Sequence, residues 1–160
     1  MLGFLLPRNT VLSNSIASKL YNEKTFYPAL IKDMKRCQSE LIIESPFITN
    51  RRLQQLLPIF QKLKDRRVRV VVNTRNPSEQ DDEYRREDNL SAMAGLQMIG
   101  VQVLFTVGHH RKLAIIDRKI LYEGSLNILS QNNSCEIMRR IKSTQAAWQM
   151  IDFIEIDKLI

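Results

Sequence analysis

A chain of 160 residues has the length of one ordinary domain, and its 44% hydrophobic and 26% charged residues allow a sizeable core. The formal net charge of +7 and a pI near 9.6 point to anionic partners, either nucleic acid or an acidic surface. No apolar run reaches the roughly 20 residues of a membrane-spanning helix, and two cysteines, Cys37 and Cys135, exclude a disulfide framework. Both are read as reduced thiols of a cytoplasmic protein. Met1 to Leu6 is apolar but too short for a secretory signal, and Pro7-Arg8 follows at once.

The expected organisation is a single domain over 1–160, with a weakly patterned segment at 1–20 and a C-terminal helix at 143–160. A piece cut from a longer chain would read the same way. Thr25 to Cys37 reads as a helix with Pro28 in its first turn and Leu30, Ile31 and Met34 on one stripe. Glu40 to Glu44 is a short apolar strand that Ser45-Pro46 ends. Asn50 is the expected cap of a helix carrying Leu53, Leu56, Leu57, Phe60 and Leu63, with a kink or break at Pro58.

Val68 to Val72 is a buried β-branched strand. Asn73 to Asp88 reads as a mobile polar excursion, followed by a helix from Leu90 to Ile99 that Gly100 stops. Val101 to Val107 is expected as another buried strand. After a turn at Gly108 come strands at Lys112–Ile116 and Ile120–Glu123, bent at Asp117-Arg118-Lys119. Glu136 to Ile141 is a further strand, and Ser143 or Thr144 caps a helix with Ala147, Ile151 and Ile154 inward. Strands alternating with helices and finishing in a hairpin predict an α/β fold, a mixed sheet flanked by helices.

Charge is unevenly placed. Arg51 to Arg75 holds eight basic residues and one acid, whereas Glu79 to Asp88 holds six acids and two arginines. The first is a candidate polyanion-facing surface.

The chemistry concentrates in His110 to Asn127. In an extended segment residues i and i+2 share a face, which pairs His110 with Lys112 and Ser125 with Asn127. Gly124 permits a close approach by another strand or a bound anion. An imidazole, an ammonium, a hydroxyl and an amide gathered in one volume suit attack on a phosphodiester. The neutral ring nitrogen is the nucleophile, and Lys and Asn hold the oxygens as charge develops. His109 should face away. Ligand spacing for zinc from His109, His110, Cys37 and Cys135 is missing, so neither metal nor cofactor is expected.

The spacing His110-x-Lys112-x4-Asp117-x6-Gly124-Ser125-x-Asn127 resembles the full HKD signature of the phospholipase D superfamily, with one HKD motif in the chain. The likeness covers roughly residues 25 to 142 and is nearest to bacterial phospholipase D-like nucleases, including domains joined to helicase or restriction modules. It implies that His110 attacks phosphorus to form a phosphohistidine. Lys112 and Asn127 bind the phosphoryl oxygens, with Ser125 assisting, and Glu136 orients the histidine. Asp117 holds its loop and the lysine. Gly124, Arg51, Arg52 and Arg111 are the candidate substrate-binding positions.

Because the family uses two facing motifs, the likeness also implies a homodimer through the motif face, with a composite site and a bell-shaped pH profile. The expected activity is metal-independent cleavage of nucleic acid, with DNA favoured over RNA. The alternatives are a lipid phosphodiesterase or phosphatidyltransferase, and a non-catalytic module that binds nucleic acid or dimerises a larger protein.

Overall fold

Period-two apolar runs and helical stripes set the order of elements. In the computed structural model, which describes residues 17–130 and 133–160, these are β1 (Ala17–Tyr21), α1 (Phe26–Arg36), β2 (Glu40–Glu44), α2 (Asn50–Asp65), β3 (Arg69–Arg75), α3 (Glu83–Met98), β4 (Gln102–Thr106), β5 (Leu113–Ile116), β6 (Ile120–Gly124), β7 (Met138–Lys142) and α4 (Thr144–Ile154). The strands among the described residues form one sheet in the order β1-β7-β6-β5-β2-β3-β4. β2, β3 and β4 are parallel, as strands joined by crossover helices must be. β5, β6, β7 and β1 add on antiparallel. This is the expected mixed α/β sheet.

Side-chain alternation divides the core between two faces. Leu41, Ile43, Val70, Val72, Ala114 and Tyr122 pack under α1, α2 and α3. Ile42, Val71, Leu113, Ile115 and Leu121 pack under α4 through Ala147, Ile151 and Ile154. With both faces covered, β2 is buried along its whole length, which is why ELIIE shows no polar alternation. No helix among the described residues is long and apolar enough to cross a membrane.

Several expectations are corrected. The weakly patterned segment 1–20 ends in a strand, because Ala17–Tyr21 pairs with β7; residues 1–16 lie outside the described residues. Helix α2 runs unbroken through Pro58, whose exposed position leaves the carbonyl one turn back open to water. Its cap is Thr49 rather than Asn50: the Thr49 hydroxyl accepts from Arg52 N at 3.3 Å.

The excursion at Asn73–Asp88 is built structure. β3 continues through buried Asn73 and Thr74, and α3 starts at Glu83, seven residues before Leu90. Asp82 caps that helix by accepting from Arg85 N at 2.8 Å. Its first turns are exposed, so no apolar stripe marks them. β4 is half-exposed rather than buried because it is the edge of the sheet. The C-terminal helix stops at Ile154, where Glu155 turns left-handed at φ 55°, and a short 3-10 turn at Ile156–Lys158 follows.

One contact sets the spacing of β6 and β7. A Cβ on Gly124 would overlap the carbonyl oxygen of Ile137 and lie 2.9 Å from Met138 Cα. Backbone cannot give way as a flexible side-chain tip can. Gly124→Ala is expected to lower stability by about 3 kcal/mol or more. An unchanged denaturation midpoint would show that the strands do not approach so closely.

Candidate active site

β2 and β5 run in opposite directions at the switch from parallel to antiparallel pairing. The end of β2 therefore lies beside the start of β5, with Glu44 opposite Leu113. β6 ends at the same edge and β7 begins there, with Gly124 opposite Met138. This topology gathers His110, Lys112, Gly124, Ser125, Asn127 and Glu136 at one edge of the sheet. Carboxyl ends of parallel strands at a switch point are where open sheets form ligand crevices.

Two adjacent residues at the end of β2 fix the segments that carry the motif. Glu44 has no exposed side-chain surface and accepts from Arg111 Nε at 2.5 Å and from a second guanidinium nitrogen at 2.9 Å. Asn73 Nδ2 adds a third donor at 2.9 Å. Arg111 lies between His110 and Lys112, so this clamp sets the backbone of both. Next to Glu44, buried Ser45 accepts from Leu129 N at 3.1 Å, and Thr49 N donates to Leu129 O at 2.9 Å. The Tyr27 hydroxyl donates to Ile128 O at 2.9 Å. These bonds pin the loop that carries Asn127.

His110 is exposed, and Lys112 is half-buried with its ammonium donating to His110 O at 2.8 Å. Burial lowers the Lys112 pKa, and the Glu136 carboxylate opposes that shift. Glu136 accepts from the Ser125 and Ser134 hydroxyls, the latter at 2.5 Å. Ser125 Oγ also accepts from Ile137 N at 3.0 Å. The Ser125 hydroxyl donates to Glu136 and so positions that carboxylate. Glu136 is held by two hydroxyls and makes no ion pair with His110 among the described residues. Gly124 meets the backbone of β7, the close strand approach that is one of its two expected roles.

Asp117 sits at the opposite end of β5 from His110. Its carboxylate accepts from the backbone N–H groups of Gln38, Ser39 and Glu40 and from the Ser39 hydroxyl, the closest at 2.8 Å. It holds the connection between α1 and β2 and does not touch Lys112. Arg52 lies 3.8 Å from the centre of the Tyr27 ring and donates to Gln55 at 2.6 Å, while Arg51 is exposed at the start of α2. Arg111 is committed to Glu44. His109 is buried, and burial lowers its pKa. No group of three or more potential metal-ligating side chains occurs among the described residues.

The sequence reading missed Glu44, Ser45 and Ser134. An acid closing an apolar strand, at a position covered on both faces, is the signal that could have found Glu44.

A family model described as "Cardiolipin synthase, PLD-like domain" matches residues 30–157, so the likeness extends through α4, beyond the expected limit at 142. No curated protein matches in sequence. Among solved structures, the phospholipase D family member Nuc from Salmonella typhimurium is similar at TM-score 0.69 and 14% identity, covering 86% of this chain and 90% of that one. NucT from Helicobacter pylori gives TM-score 0.64 and 16% identity, covering 88% and 94%. Phosphatidylserine synthase from Haemophilus influenzae Rd KW20 gives 0.62 and 16%, covering 92% of this chain and 39% of that one.

The Asp117 contacts carry a pH signature. Burial raises its pKa, but the N–H groups of Ser39, Glu40 and Gln38 outweigh this and bring it from 3.8 down to about 2. A carboxylate depressed on folding stabilises fully above its unfolded pKa and loses that contribution as pH falls through the folded one. Asp117→Asn should therefore cost roughly 1–3 kcal/mol at neutral pH. In acid-unfolding curves the gap from wild type should narrow between about pH 4 and about pH 2. A gap independent of pH would contradict this.

Proposed function

The chain belongs to the phospholipase D-like family, and on that premise we propose that it is a metal-independent phosphodiesterase that cleaves nucleic acid through a phosphohistidine at His110. The observation that carries this reading is the clamp of Glu44 on Arg111, which fixes the segment holding exposed His110 and half-buried Lys112 at the sheet's switch point. In the proposed step the neutral His110 ring nitrogen attacks phosphorus, the P–O bond to the leaving group breaks, and an acid protonates the departing oxygen. Water then attacks phosphorus, giving a proton to the group that served as acid, the P–N bond breaks and His110 returns to its neutral starting state. Lys112 and Asn127 hold the non-bridging oxygens. Glu136, held by Ser125 and Ser134, is a positioning residue that also balances the charge of Lys112.

Both a neutral nucleophile and a protonated acid are required, and one chain carries one motif histidine. The acid is assigned to His110 of a second copy across a two-fold axis. A groove of about 460 Å³ beside Lys112 supports such a contact. It gathers Leu20, Ile137, Met150 and Phe153, with Phe153 79% exposed. Apolar surface of this kind beside an incomplete site suits burial against a partner. The net charge of +7 and Arg51 at the same end of the sheet favour a polyanion, with DNA ahead of RNA. The groove also suits an acyl chain, which makes a lipid phosphodiester the second reading.

Cleavage of labelled DNA and RNA should persist in EDTA and fall at least about a thousandfold in His110→Ala. Loss on chelation, or an active His110→Ala protein, would refute the mechanism. Turnover of cardiolipin or phosphatidylcholine vesicles with nucleic acid untouched would instead select the lipid reading. Phe153→Asp should shift the protein to monomer in sedimentation and lower activity in proportion to the dimer lost. A fully dimeric Phe153→Asp protein would remove the groove from the interface.

A further inference from the structure

A second cavity, distinct from the apolar groove, opens on the other side of the site. It measures about 350 Å³ and lies between the loop after β2 and the first turns of α3, with Asn127 on its wall. A smaller cavity of about 140 Å³ shares Phe47, Gln80, Arg85 and Asn89 with it and reaches Arg75. Aromatic side chains line the larger space at Phe47 and at Tyr84, which is 79% exposed. Asn89 is only 7% exposed, and no hydrogen bond from the described residues reaches its side-chain amide. Arg75 Nε is buried without a partner among the described residues. A buried donor without a partner is costly and is ordinarily satisfied, so Arg75 Nε on the smaller cavity's wall, with the Asn89 amide lining both spaces, points to a ligand with polar edges.

We propose that this cavity receives one unstacked nucleobase next to the scissile phosphate, so that the site acts on single-stranded nucleic acid. The proposal rests on the nucleic-acid reading above. A base offers a flat face for Tyr84 and Phe47 and an edge of donors and acceptors for Asn89 and Gln80. An acyl chain would leave Arg75 Nε unsatisfied.

Local charge is mixed. Arg85 and Asp88 are the charged residues on the larger cavity's wall, and Asp88 is occupied by Asn50, which donates to it at 2.8 Å. Asp81, Asp82, Glu83 and Glu87 hold exposed positions before and along the first turns of α3, outside the lining. A neutral ring is tolerated beside these acids, where a run of phosphates is not favoured. A paired base inside a duplex cannot enter without leaving its stack, which is the source of the strand preference.

The test is a binding measurement that does not depend on turnover. His110→Ala protein is titrated into a dye-labelled single-stranded oligonucleotide of roughly ten nucleotides. The same protein is titrated into an oligomer of equal length and charge with abasic sites throughout, and into the corresponding duplex. The single strand should bind about tenfold more tightly than either. Adding Tyr84→Ala should remove most of that preference and leave abasic binding unchanged, while Tyr84→Phe should keep it. Tyr84 is exposed, so its loss does not open the core. Equal affinity for base-bearing and abasic strands, or equal losses on both with Tyr84→Ala, would overturn the proposal. Base-dependent binding by a wild-type protein that cuts no nucleic acid would sink the nuclease reading alone. EDTA-resistant cleavage indifferent to Tyr84 would sink the base pocket alone.

Discussion

A carboxylate removed from water must find a counter-charge, and Glu44, with its side chain fully buried at the end of β2, finds it in Arg111. Breaking such a pair typically costs about 3–5 kcal/mol because the remaining charge is stranded. Here the partner is the residue between His110 and Lys112. The need to neutralise one buried acid therefore sets the path of the backbone that presents both side chains. Ser45, the next residue, bonds the loop that carries Asn127. Two neighbouring residues, at and just past the end of β2, thus hold both halves of the motif, which explains how a site drawn from distant stretches is fixed on a small sheet.

Much of the sheet was legible in the sequence because buried strands are apolar without interruption and hairpins need turn residues. Asp117 and Arg118 both take φ near 52° at the bend between β5 and β6, where the sequence placed it. What failed to show was structure without an apolar stripe. The start of α3 is exposed on its first turns, and its cap, Asp82, is one acid among six in Glu79–Asp88. β1 and β4 are edge strands, the first exposed along most of its length and the second half-exposed, so neither reads as a buried run. Pro58 argued for a break that does not occur, because its missing hydrogen bond falls on the solvent side of α2.

The spacing of the motif marked the edge where the site forms, but not the partners within it. Asp117 belongs to the motif by position, yet it binds the N–H groups of Gln38, Ser39 and Glu40 at the far end of β5. Ser125, expected to assist at the phosphate, holds Glu136. Gly124 admits the backbone of β7, one of the two close approaches its position allowed. In each case the spacing records a requirement of the fold, and only coordinates show which neighbour imposes it. Arg111 illustrates the same point: a cation expected to meet substrate is committed to Glu44 and contributes by holding its own neighbours.

The central claim is that His110 becomes covalently phosphorylated during turnover. The most direct test is to quench the protein in alkali during cleavage of a labelled phosphodiester, digest it and locate the label by mass spectrometry. The account predicts an acid-labile, alkali-stable phosphoramidate on the peptide that contains His110, forming and decaying at rates compatible with turnover. Label on another residue, or steady cleavage with no phosphorylated intermediate, would contradict it.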